Sequence, residues 1–296
     1  MHHSLSPLNA ADVPDDSASR IHSPPSPLSR PLALHSAHYR SGWGELTDMG
    51  RQSTLTLGKL LRKVYVEHLH LVPPVLPASP RDTNPVHFRS TAVPRAIESL
   101  TNLVAGLFPE RDGPMEFVVR QAQDESLYPN SLCSRMHALD KKAAEQAAKE
   151  WNPTLEPLDP LLSPYLNGTK LRIDSSPRAN GVLDSLWVAR AHGMPLPNEL
   201  QEQDMFDTLE RAVVHEWFDA YKDKEFGQLS MGRLLGELRA KMEDKVNDPL
   251  EQKEKLRLAV YSCHDTSLGG ILRALDVFDN RWPPFTSHLA VGKYTI

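Results

Sequence analysis

The chain has 296 residues, 40% of them hydrophobic, and a formal net charge of −5. That is enough for one large domain, or for a core carrying an insert, with ample apolar residue to bury. Mild acidity argues against nucleic acid as the main partner while leaving room for a local basic pocket, and two cysteines, Cys133 and Cys263, exclude a disulfide framework or a cysteine-built zinc cluster.

Residues 1 to about 40 are rich in Ser, Pro and His without periodicity. The run Ile21-His22-Ser23-Pro24-Pro25-Ser26-Pro27 lacks the donors a helix or ladder needs. A disordered tail is expected over 1–40, followed by one domain over 41–296. The first residues lack the apolar core of a signal peptide, and no run of about 18 apolar residues predicts a membrane span. The compartment stays open.

Order is predicted from Thr47, a candidate N-cap with Asp48 in the first helical turn. Leu57, Leu60, Leu61 and Val64 then recur at helical spacing, and Pro73-Pro74 ends the segment. Val86-His87-Phe88 reads as a short strand, followed by Arg89-Ser90-Thr91. A helix with Ile97, Leu100, Val104 and Leu107 on one face comes next. Met115 to Arg120 is a second strand candidate. From about 121 to 250 the pattern is helical, with one face of Phe206, Leu209, Val213 and Trp217 and another of Met231, Leu234, Leu235, Leu238 and Met242. Trp217 and Phe218 are expected in the core of this insert. Leu256 to Ser262 is a strand-type run leading through Cys263-His264-Asp265-Thr266 into a helix from about Ser267. The expected fold class is α/β: a central, mostly parallel sheet flanked by helices, with a helical insertion.

Two strand ends are alike: Phe88-Arg89-Ser90-Thr91 and Ser262-Cys263-His264-Asp265-Thr266. Each sets a polar cluster between a strand and a helix, where helix N-termini attract anions. Arginine offers a permanent charge and a fork matched to phosphate oxygens, and a His-Asp pair adds a donor and a proton carrier. The combination suits phosphoryl transfer, where positioning and charge stabilisation dominate. Taken alone it leaves room for a salt-bridged arginine and a surface His-Asp turn. Arg95 could face phosphate from its helix start or sit in a salt bridge. Cys263 is expected to be a buried, unreactive thiol.

Gly44-Glu45-Leu46-Thr47-Asp48-Met49-Gly50, Phe88-Arg89-Ser90-Thr91-Ala92-Val93-Pro94-Arg95 and Ser262 to Leu268 together resemble the landmarks of the histidine acid phosphatases, the second branch of the histidine phosphatase superfamily. Tyr65-Val66-Glu67 after the first helix is most similar to the lysophosphatidic-acid phosphatase type. The resemblance implies an acid phosphatase that hydrolyses phosphate monoesters through a phosphohistidine, without metal or other cofactor. It implies that Arg89 and His264 bind the phosphoryl oxygens. Asp265 would be the general acid, protonated at low pH, that protonates the leaving alkoxide and then activates water. The partner is then a small phosphomonoester, with lysophospholipid and inositol phosphates among the candidates.

One landmark is absent. The family's R-H-G-x-R-x-P strand end carries the nucleophilic histidine, and this sequence contains no Arg-His dipeptide. His35 and His38 follow no apolar strand with a glycine turn and read as loop residues. With the first strand missing, its neighbours are expected to keep unpaired backbone groups. Trp282 to Ala290 resembles the start of a further family strand. Gly292-Lys293-Tyr294 is what reading through a splice donor encodes, so a truncated gene product is one expectation. A family member that binds phosphate without turnover is another.

Overall fold

The computed structural model describes residues 2–4, 44–76, 85–110, 116–130, 132–246 and 256–292. The expectations placed on His35 and His38 lie outside them. Within the segment expected to be a tail, His2–Ser4 forms a short strand, β1.

Helix α1, Asp48–Arg62, begins where the sequence places it: Thr47 is extended and its side chain accepts from the Gly50 N–H at 3.2 Å. Strand β2, Val86–Ser90, leads into α2, Pro94–Leu107, whose proline at the first position needs no donor. Gly58 of α1 and Gly106 of α2 lie where the two backbones touch. A Cβ on Gly58 would run into the Leu103 carbonyl, and one on Gly106 into the Leu55 carbonyl, so only glycine permits this approach.

Strand β3, Glu116–Val119, pairs in parallel with β2 on one side, and β4, Leu258–Ser262, pairs in parallel on the other. β1 adds to the far edge of β3 in the antiparallel sense, giving the order β1-β3-β2-β4. The mostly parallel sheet with flanking helices is the expected class. Its apolar side holds Val86, Phe88 and Phe117 against Leu100, Val104 and Leu107 of α2. Phe88 meets Phe108 and Phe117 edge-on, with centroids 6.4 and 6.2 Å apart. β4 has no strand partner beyond β2 among the described residues, and all five of its residues are partly exposed.

Between β3 and β4 come α3 (Ser134–Leu155), α4 (Asp159–Leu162), α5 (Ala179–Ala191), α6 (Gln203–Phe218) and α7 (Lys224–Val246). Leu155, Leu183, Phe206, Leu209 and Val213 build a second core. Two residues depart from the periodicity. Trp217 is 37% exposed although its neighbour Phe218 is fully buried, and Met242 is also exposed on the outer part of α7.

Helix α8, Asp265–Ala274, starts two residues before its predicted Ser267. His264 has N-cap geometry, with its backbone N–H donating to the Ser267 hydroxyl at 3.4 Å. No strand forms from Trp282 to Gly292. Pro283 and Pro284 lack donors for a ladder, and the Trp282 N–H is taken by Glu210 Oε1 of α6 at 2.8 Å. Both cysteines are free.

Candidate active site

β2 and β4 run in register, Arg89 opposite Tyr261 and Ser90 opposite Ser262, so their carboxyl ends coincide. The Thr91 N–H extends the ladder to the Ser262 carbonyl at 3.1 Å. Just beyond, Thr91 Oγ1 and His264 Nε2 are 3.1 Å apart. The two strand ends that are alike in sequence therefore meet in space. α2 and α8 both start at this edge, where the positive ends of the two helix dipoles lie.

His264 is half-buried, and that burial pushes its imidazole below the ordinary histidine range; the nearby Arg95 charge acts the same way, and Asp265 and Glu125 oppose it. The neutral ring can accept from Thr91 or donate to it. The Tyr128 ring lies 6.1 Å from it, and burial raises the Tyr128 phenol.

Arg89, expected to grip phosphate, is buried, 1% exposed, inside an ion-pair network, with its Nε left without a partner. Because β2 continues through Ser90, Arg89 is a strand residue whose side chain leaves the sheet on the face opposite Phe88. Its Nη1 donates to Glu237 Oε2 at 2.9 Å, and its Nη2 donates to Glu125 and, at 3.0 Å, to Ser126 Oγ. Glu125 Oε1 also accepts from the Ser126 and Leu127 N–H groups, each at 2.7 Å, and Glu237 Oε1 from Arg120 at 2.7 Å. The guanidinium thus ties β2 to α7 and to the chain entering α3. Glu125 and Glu237 lie far away in sequence, so no local pattern announces them.

Arg95, in the first turn of α2, is exposed at the strand ends. Its charge is felt by His264 and by Asp184 of α5. Gly44, in a left-handed conformation at φ 77°, lies beside it: a Cβ there would stand 4.0 Å from Arg95 Nη1. The spacing R-S-T-x-x-x-R contains this residue, so the signal was present in the sequence. One turn of proline-started helix carries it from the strand to the rim.

Asp265 is exposed at the start of α8. Its Oδ1 accepts from the Thr266 N–H at 2.7 Å and its Oδ2 from Trp282 Nε1 at 2.9 Å. Asp184 presents a second carboxyl to the same region. Much of its surface is open, yet the protein mass around it raises its pKa, Asp265 adds to the rise and Arg95 opposes it. Burial raises the Cys263 thiol, which keeps it a poor nucleophile. Among the described residues no group of three or more His, Cys, Asp or Glu is placed to hold a metal, and no helix is long and apolar enough to cross a membrane.

The family model of the histidine phosphatase superfamily (branch 2) matches residues 11–295. A probable acid phosphatase from Schizosaccharomyces pombe is 40% identical over 253 residues, covering 83% of this chain and 54% of that protein. Human lysophosphatidic acid phosphatase type 6 is 31% identical over 264 residues, covering 85% and 57% respectively. The chain thus spans little more than half the length of these relatives. Among solved structures, a Klebsiella phytase shares the fold with a TM-score of 0.56 at 18% identity, over 81% of this chain and 65% of that one. The aligned strand ends, the helices that start from them and this match together place the chain in the histidine phosphatase superfamily, branch 2.

Proposed function

We propose that the protein is a phosphatase-type hydrolase of phosphate monoesters whose phosphoryl group sits between the carboxyl ends of β2 and β4. The observation that carries this is the Thr91–His264 contact at 3.1 Å, formed where two helix starts and the Arg95 charge converge. Arg95 takes the anchoring role that the resemblance gives to Arg89, since both Arg89 Nη atoms are engaged by Glu125 and Glu237 and only its buried Nε is without a partner. His264 donates to a second phosphoryl oxygen from the strand end opposite.

Asp265, at the mouth of this cradle, carries the leaving-group proton. The P–O bond to the alcohol breaks as Asp265 gives its proton to the departing oxygen, and the phosphoryl group passes to the nucleophile. In the family the resemblance points to, that nucleophile is the histidine of the R-H-G-x-R-x-P landmark, which this sequence lacks. Water then attacks phosphorus, returns a proton to Asp265 and releases inorganic phosphate. An acid optimum follows, because the first step needs Asp265 protonated. The name of one relative, lysophosphatidic acid phosphatase type 6, supports lysophosphatidic acid as a candidate substrate.

A second reading is a phosphate-binding protein without turnover, favoured by the absence of any Arg-His dipeptide from the sequence. Hydrolysis of p-nitrophenyl phosphate from pH 4 to 8, with Arg95→Ala and Asp265→Asn beside the wild type, separates the two. Turnover with an acid optimum, lost in both variants, supports the hydrolase. Binding of vanadate without turnover in a folded chain supports the second reading.

A further inference from the structure

We infer that Trp282 is a positioning residue for Asp265: its indole N–H, held rigidly by the helical layer, fixes the carboxylate that handles the leaving-group proton. The inference rests on the role proposed for Asp265.

The contact is a hydrogen bond of 2.9 Å from Trp282 Nε1 to Asp265 Oδ2. Both ends are constrained. On the aspartate, the Thr266 N–H holds Oδ1 at 2.7 Å, so the two donors together define the carboxyl plane. On the tryptophan, the backbone N–H is anchored to Glu210, a buried side chain that Arg281 also pairs at 3.2 Å. The ring itself is wedged: Trp217 stands edge-on at 5.9 Å and 89°, Phe218 lies at 5.4 Å and Trp187 at 6.4 Å. The partial exposure of Trp217, which the helical periodicity does not explain, is accounted for by this stack at the rim.

An indole donates and never accepts, so it is a stronger partner for the ionised carboxylate than for the neutral acid. It therefore holds the carboxylate left after proton transfer in place for the water step. Each carboxyl oxygen has a second lone pair, which leaves room for the transferable proton. The charged groups around the pair are Asp184 from α5, Arg95 from α2, Glu210 with Arg281, and His264. Through Trp282 the core of α5 and α6 reaches the acid directly, although Asp265 itself belongs to the sheet layer.

The test uses the full chain labelled with ¹⁵N-tryptophan, whose five indole N–H signals are few enough to resolve. Trp282→Phe identifies one signal and preserves the ring stack. That signal is expected to move as the chain is taken from pH 7 to pH 3. It is expected to shift at constant pH in Asp265→Asn, and to stay in place in Asp184→Asn. A signal indifferent to Asp265→Asn overturns the inference, whatever the enzyme does. With p-nitrophenyl phosphate, Trp282→Phe is expected to lower kcat about tenfold, the scale of one hydrogen bond to a charged group, with KM unchanged within about twofold. Unchanged kcat in an active chain also overturns it. Absence of turnover in the wild type would instead remove the hydrolase reading and leave the indole signal to decide the contact.

Discussion

Thr91 and His264, 173 residues apart in sequence, are joined side chain to side chain at 3.1 Å. The contact exists because β2 and β4 are adjacent, parallel and in register, so that the residue after one strand faces the loop after the other. The proposed phosphoryl site is built around that coincidence of strand ends.

Arg89 sits in a buried ion-pair network, and its replacement reads out as stability. Arg89→Ala leaves the buried Glu125 carboxylate without its ion partner and is expected to cost about 3–5 kcal/mol, the scale for breaking a buried pair. Arg89→Lys keeps a charge but loses the fork, and should cost less. Urea unfolding measures both. A fully stable Arg89→Ala would contradict the network.

Arg95→Ala is the complementary case. Arg95 is exposed, so its loss is expected to change stability by no more than about 0.5 kcal/mol. The same substitution is expected to weaken vanadate binding about tenfold or more. Loss of fold in this variant, or binding that is unaffected, would remove Arg95 from the cradle.

His264 is held below the ordinary histidine range, first by burial and then by Arg95. Between the folded and unfolded values the unfolded chain binds the proton more readily. His264 therefore withdraws stability as pH falls through its folded value, and withdraws none above the unfolded value. An NMR titration of His264 should give a value below that of a free histidine, raised in Arg95→Gln and raised further by a bound phosphate dianion. A value above the free one would place the ring in a different environment.

Gly106→Ala tests the seat of the strand-end helices. A methyl at this position has to displace the α1 backbone at Leu55, and overpacking of this kind costs about 1–3 kcal/mol, occasionally more. Thermal unfolding of Gly106→Ala is expected at lower temperature than the wild type. An unchanged midpoint would show that α1 and α2 can part freely.

Much of the fold was legible because its signals are local. Thr47 as cap, the apolar stripe Leu100, Val104 and Leu107, and the strand leading to His264 are each encoded within a few residues. The two strand ends that are alike in sequence also lie side by side in the sheet. The different settings of Arg89, buried, and Arg95, exposed, were not legible. Both belong to one short segment, and what separates them is the burial of Arg89 against Glu125 and Glu237, which arrive from 36 and 148 residues away. Trp282 was missed for the same reason. Its segment reads as a strand start, and only packing on α5 and α6 turns its N–H toward Asp265. The core expected for Trp217 failed at the point where helix periodicity meets the rim of the site.

The most direct test of a phosphate cradle built on Arg95 and His264 is calorimetric titration of vanadate into the wild-type chain, Arg95→Ala and Arg89→Lys. The account predicts saturable binding to the wild type, about a tenfold or greater loss in Arg95→Ala, and affinity within about twofold of wild type in folded Arg89→Lys. Equal binding by Arg95→Ala, or loss of binding in a folded Arg89→Lys, would contradict it.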